Sequence, residues 1–388
     1  MRNIGVSAYG IRTPIINRGD NLPVIVAESL LRMVESEGLT LESSDIIGIT
    51  EAVLARAQGN FALVDDIAAD VKDKFGDSTV GVVFPIFSRN RFVNILKGIC
   101  RGAKNVCVLL ELPHDEVGNP IMSMTKFDEL EDELRGPIPA DEFRRMVGEY
   151  KHPFTGVNYT RLYEDISDNV RVYLSRDPRD ILKLTPHVLV CEIHNRERTK
   201  ARLIKSGAQT VYTLTDILQK SIDGSGYNPD YGVLGSNLSG EEELKLFPRN
   251  CDEFITQLRA QIESRIGVLP EIMVYGDGAF KDPRAGIWEL ADPVVSPGHT
   301  VRLSGQPDEI KLKLVSDRLP EGASQEEKEE AVTKLIREKK SSTDAREGTT
   351  PRIFADMLGS LCDLISGSGD KGTPVVLIKG YFDDYASE

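Results

Sequence analysis

With 388 residues, 28% of them charged and 40% apolar, the chain has the composition of an ordinary globular protein, long enough for two domains or one domain with a large insertion. No apolar run nears the roughly 18 residues of a membrane span, and a net charge of -14 opposes a nucleic-acid partner, so an anionic substrate needs a local basic pocket. Five scattered cysteines and five histidines, without CxxC or HExxH spacing, argue against a disulfide framework and offer no zinc motif.

Residues 3–8 read as a first strand rather than a secretory leader, from which a cytoplasmic location is expected. Pro23 to Glu37 places Val24, Ala27, Leu30, Leu31 and Val34 on one helical face, with Gly38 as its stop and Asp20, ahead of Asn21, as its cap. Ile46 to Thr50 is a strand, followed by a short helix from Glu51 that ends at Gly59. Val80 to Phe84 and Asn105 to Glu111 are further strands around a helix from Arg89 to Arg101, the alternation of an α/β sheet.

Residues 113–165, rich in acids, Pro and Gly, interrupt the alternation with helical segments near Phe127 to Leu134 and Asp141 to Tyr150. It resumes with a strand at Val188 to Glu192, a helix at Arg196 to Ser206, a strand at Thr210 to Thr213 and a helix at Thr215 to Lys220 capped by Thr215. That stretch resembles half of a Rossmann fold, yet neither GxGxxG nor a Walker A sequence follows any strand, so dinucleotide binding there is not expected. A Gly- and Ser-rich joint leads to Gly235-Ser236-Asn237, where glycine lets backbone amides approach a phosphate, although such loops are more often plain turns. A helix from Asp252 to Ile266 then feeds a stretch in which acids and bases crowd together behind a strand.

That stretch, residues 272–298, opens with an apolar strand, Ile272 to Tyr275, and bends at Gly276-Asp277-Gly278, leaving Asp277 at the strand's carboxyl end, where α/β proteins bind ligands. Asp277, Asp282, Glu289 and Asp292 alternate there with Lys281 and Arg284. Carboxylates suit Mg2+ or Mn2+, and an adjacent base suits the phosphate such a metal carries. A tight turn is the simpler reading of Gly-Asp-Gly taken alone. A charged surface helix within 321–347, an amphipathic helix from Pro351 to Ile365 carrying Asp356, and a strand from Pro374 to Lys379 close the chain.

The order of these pieces resembles the coenzyme F420-0:L-glutamate ligase family. Gly19-Asp20-Asn21-Leu22 matches a Gly-Asp-Asp-Leu-like sequence, and Ala57-Gln58-Gly59-Asn60 an Ala-Glu-Gly-Arg-like one. Gly235-Ser236-Asn237, Leu246-Phe247-Pro248, the spacing of Asp277, Arg284 and Gly286, Ala355-Asp356, and Pro374 to Gly380 follow in the family's order. The resemblance implies a mixed α/β (α+β) fold: a two-part ligase-like domain, 1–112 and 227–388, with an inserted α/β segment at 113–226. It also implies a cytoplasmic, homodimeric ligase that adds L-glutamate in gamma-glutamyl linkage to an acidic acceptor, using GTP (or ATP) and Mg2+ or Mn2+. An acyl phosphate is the intermediate, because a carboxylate is a poor acyl donor until it takes a phosphoryl group. By that resemblance Asp277 and Glu289 hold metal, Arg284 and Lys281 contact phosphates, Ser236 and Asn237 line the nucleotide or acceptor pocket, and Asp20 and Asp356 stand at its edge. Glu289 and Asp356 also read simply as exposed helix acids. The chain departs from the family with Leu234 for an aspartate, Ala52 for a basic residue, Gln58 for a glutamate and Asn60 for an arginine. These losses keep open a non-catalytic nucleotide- or metabolite-binding protein, and more remotely a dehydrogenase or transferase built on residues 188–220.

Overall fold

The computed structural model describes residues 4–152, 155–276, 279–281, 288–290, 297–307, 309–320, 322–338, 353–365 and 370–387, with side chains except at 279–281, 288–290, 314 and 316. The chain starts with β1 (Ser7–Ile11) and α1 (Leu22–Ser36). Asn21 rather than Asp20 caps α1, accepting the Val24 N–H at 3.4 Å. The helix begins at Leu22, which leaves Asp20 one residue too early to reach a first-turn amide; its carboxylate accepts the Asn17 N–H at 2.7 Å. β2 (Ile46–Thr50), buried along its whole length, runs directly into α2 (Glu51–Ala57).

Next come β3 (Phe61–Leu63) and α3 (Val64–Phe75), which the sequence reading left unassigned. Buried Val64, Ile67, Val71 and Phe75 recur at helical spacing along α3. β4 (Thr79–Val83), α4 (Arg89–Gly102) and β5 (Asn105–Glu111) fall where the periodicity puts them. The interruption that follows holds α5 (Met124–Glu129), the two-residue β6 (Ile138–Pro139), α6 (Ala140–Val147) and α7 (Tyr159–Glu164). β7 (Val170–Ser175), β8 (His187–Val190), α8 (Arg196–Lys205) and β9 (Thr210–Thr213) restore the alternation. The helix expected at Thr215 to Lys220 is only a three-residue 3-10 turn, Leu214–Asp216. The buried Asp70 carboxylate takes the Leu218 N–H at 2.8 Å, and Leu218 turns to φ 57°, which ends any helical path.

After β10 (Asn237–Gly240) and β11 (Glu243–Lys245), α9 (Cys251–Ile266) leads to β12 (Glu271–Tyr275). β13 (Ala279–Lys281) and β14 (Trp288–Leu290) pair with each other, and β15 (Gly298–His299) follows. α10 (Leu312–Asp317), α11 (Gln325–Arg337), α12 (Phe354–Ile365) and β16 (Val375–Lys379) complete the described chain.

Two compact units result: residues 1–57, 250–278 and 290–388 form one, and 58–249 with 279–289 the other. In the first, a five-stranded sheet runs β1-β16-β2-β12-β15, with β2 and β12 parallel and every other pair antiparallel. One face buries Ile47, Ile49, Ile272 and Val274 against α1 and α9; the other buries Ile46, Met273 and Tyr275 against α12. Gly48 makes the second packing possible, since a Cβ there would lie 2.5 Å from the Cys362 sulfur.

In the second unit, five strands in the order β7-β5-β4-β8-β9 are all parallel, with β6 antiparallel at the edge. In chain order that arrangement reads 3-2-1-4-5, the doubly wound pattern. It extends the Rossmann-like half seen at residues 188–220 back to β4 and β5, so one sheet draws strands from both sides of residue 113. A small antiparallel sheet, β10-β11-β3, contributes Ala62 and Leu244 to the same core as α3 and α4.

Candidate functional site

In the second unit the small sheet gathers four loops that are distant in the chain. Asn60 is completely buried and donates its amide to the Phe247 carbonyl at 2.6 Å, while its Oδ1 accepts the Tyr227 N–H at 3.0 Å. Gln58 grips Arg249 from both sides: Nε2 donates to the Arg249 carbonyl at 2.5 Å and Oε1 accepts its N–H at 3.1 Å. Asn228, also buried, donates to the carbonyls of Phe247 and Pro248 at 3.2 and 3.0 Å. The segment 246–249 is therefore held by three amide side chains.

Phe247 in turn fixes Gly235, where φ is +73° and an added Cβ would fall 1.8 Å from the ring. Only glycine fits both constraints. It delivers Ser236, which is 1% exposed and whose Oγ has no hydrogen-bond partner, and Asn237, half-buried at the head of β10 opposite Lys245. A buried hydroxyl left unpaired costs on the order of 1–3 kcal/mol. Arg249 completes the patch: its guanidinium donates to Asn60 Oδ1 and lies 4.7 Å from the centre of the Tyr227 ring.

The structure thus brings Ser236 and Asn237 together with the Gln58–Asn60 and Leu246–Pro248 motifs. Asp20 and Asp356 sit in the first unit, both half-buried, Asp20 closing its own turn and Asp356 in the first turn of α12. Lys281 ends β13 and Glu289 is the middle residue of β14, with side chains outside the described ones; Asp277 and Arg284 lie outside the described residues altogether. Leu234 is packed in the hydrophobic core.

Sequence reasoning missed two groups here. Arg249 gave no signal, because its partner Asn60 is 189 positions away. Glu51, 2% exposed, stands at the carboxyl end of β2, whose last residue Thr50 is in register with Tyr275 of β12. A glutamate directly after a fully buried parallel strand was the available signal. Among the described residues no group of three or more His, Cys, Asp or Glu is arranged to hold a metal.

At the carboxyl ends of β4 and β8, where a doubly wound sheet takes its ligands, main-chain N–H groups that follow β4 already have partners. The Phe87 N–H is taken by Asp115 at 2.8 Å, the Ser88 N–H by the Tyr163 hydroxyl at 3.3 Å, and the Arg91 N–H by Ser88 at 3.3 Å. Acids gather there instead. Burial, then repulsion from Glu192, Glu116 and Asp115, pushes Glu111 up to about 8. Burial also raises Asp115 to about 6 against the hydrogen bonds from Asn119 and Phe87, and raises Glu192. This arrangement argues against a dehydrogenase built on residues 188–220.

The second unit thus sets an amide-held arginine beside a buried serine on a mixed α/β frame. A profile of the F420-0:gamma-glutamyl ligases matches residues 10–380, nearly the whole chain, and the protein belongs to that family of ligases. A search of curated proteins finds no match. No helix among the described residues is long and apolar enough to cross a membrane.

Proposed function

We propose that the protein forms an amide bond between L-glutamate, in gamma-glutamyl linkage, and a small acidic acceptor, F420-0 or another metabolite, driven by GTP or ATP with Mg2+ or Mn2+. The observation that carries this reading is the meeting of Ser236, Asn237, Gln58, Asn60 and Leu246–Pro248 in one patch of a chain matched by the family over residues 10–380. The terminal phosphoryl group passes to a carboxylate oxygen, the amine nitrogen attacks the acyl carbon, and inorganic phosphate leaves with that oxygen. Arg284 and Lys281 contact the phosphates, Ser236 and Asn237 position nucleotide or acceptor, and Asp20 and Asp356 border the site. Asp277 and Glu289, with Glu51 as a further donor, would hold the metal, which would neutralise phosphate charge when bound. Residues 113–226 are the segment added to the ligase-like frame, and the enzyme is a cytoplasmic homodimer with a solution mass twice that of the chain. Purified protein with nucleotide, metal, glutamate and F420-0 should release phosphate only when acceptor is present; no acceptor-dependent release with F420-0 or any other small acid tried would remove the ligase reading.

A second reading, a nucleotide or metabolite binder without turnover, draws on one observation: Gln58 and Asn60, neutral where the family is charged, spend their amides on main-chain groups of 226–249. Tight metal-independent nucleotide binding without turnover is its signature.

A further inference from the structure

We infer that Arg249 is the carboxylate-binding side chain of this site and restores, from 189 positions away, the cation that Asn60 lacks. Asn60 is buried and carries no charge of its own. Its Oδ1 instead accepts a guanidinium N–H of Arg249, so a positive charge is docked on position 60 by a side chain from another part of the chain.

The guanidinium is prepared before any ligand arrives. Gln58 fixes the Arg249 main chain on both sides, the ring of Tyr227 lies 4.7 Å from the guanidinium carbon, and Asn60 occupies one N–H. Among the described residues no carboxylate pairs with it, and it makes no other hydrogen bond. An arginine ordered this way has already lost most of its rotamer freedom and keeps N–H donors for a partner, the fork geometry that fits the two oxygens of a carboxylate. The side chains that hold it, Asn60 and Tyr227, are neutral, so the local charge matches a monoanion. Assigning that carboxylate to the glutamate-type substrate rests on the ligase reading; the binding itself does not.

The test uses the full chain, with glutarate, L-glutamate and pyrophosphate titrated against wild type, Arg249→Gln and Arg249→Lys by calorimetry, and thermal unfolding as a folding control. Because Gln58 holds main-chain atoms of residue 249, both variants should fold. Expected is carboxylate binding at least tenfold weaker in Arg249→Gln, an intermediate loss in Arg249→Lys, and unchanged pyrophosphate binding. Equal carboxylate affinity in wild type and Arg249→Gln, no carboxylate binding by wild type, or a loss confined to pyrophosphate would overturn the assignment. If Arg249 binds carboxylate while no acceptor-dependent phosphate release is found, the ligase reading fails and the anion site stands.

Discussion

Asn60 spends one amide N–H on the Phe247 carbonyl and accepts at Oδ1 from the Tyr227 N–H and the Arg249 guanidinium. Asn60→Ala leaves the Phe247 carbonyl to Asn228 but takes the partner from the Tyr227 N–H, and should cost about 1–3 kcal/mol, read as a fall in urea midpoint with an unchanged slope. Ser236 behaves oppositely. Removing a buried hydroxyl that has no partner should leave the free protein as stable as before or more so, while weakening ligand binding; a Ser236→Ala protein that unfolds earlier and binds normally would make this serine structural. Glu111 gives a pH test. Its carboxyl titrates near 4.5 in the unfolded chain and near 8 in the fold, so from about pH 4.5 upward the folded state must hold a proton that the unfolded state has released. Stability contributed by the protonated form is lost as pH rises through about 8, and Glu111→Gln should raise the melting temperature little near pH 5 and most above pH 8. Of these residues only Ser236 was legible in the sequence, because the order of short motifs marks it. The environments of Asn60 and Glu111 are made by long-range contacts that no local pattern carries.

Elements were legible wherever burial is one-sided and continuous. α1, β2, α4, β5, α8, α9, β12, α12 and β16 all lie close to where apolar spacing places them. What failed depends on competing hydrogen bonds: Asp70 pulls Leu218 out of a helical path, and the start of α1 at Leu22 transfers its cap from Asp20 to Asn21. α12, the helix of Asp356, is seated by Gly48, and Gly48→Val should drive it off the sheet, with loss of cooperative unfolding as the measurement. The end of β16 is fixed by Lys379, whose Nζ lies 2.6 Å from the Asp45 carboxylate and donates to the Thr40 carbonyl at 2.6 Å. Asp45 is 1% exposed, and burial raises its pKa even with Lys379 beside it. Lys379→Met leaves that acid unpaired and should cost about 3–5 kcal/mol by chemical denaturation.

At the scale of the whole chain, the mixed α/β class was readable from alternating patterns, while the division into compact units was not. β4 and β5 are completed by β7 and β8, and sequence periodicity does not say which strands share a sheet. The strong net negative charge has its counterpart in the site, where one prepared arginine rather than a basic surface offers itself to an anion. The central claim is that a carboxylate is activated by phosphoryl transfer and then captured by an amine. The most direct measurement uses F420-0 and L-glutamate, each labelled with oxygen-18 in its carboxyl groups, incubated with the protein, GTP and Mn2+, followed by mass analysis of the phosphate released. One labelled oxygen per phosphate is expected, dependent on both glutamate and F420-0. Phosphate released without label, or label transfer that ignores the amine, would contradict it.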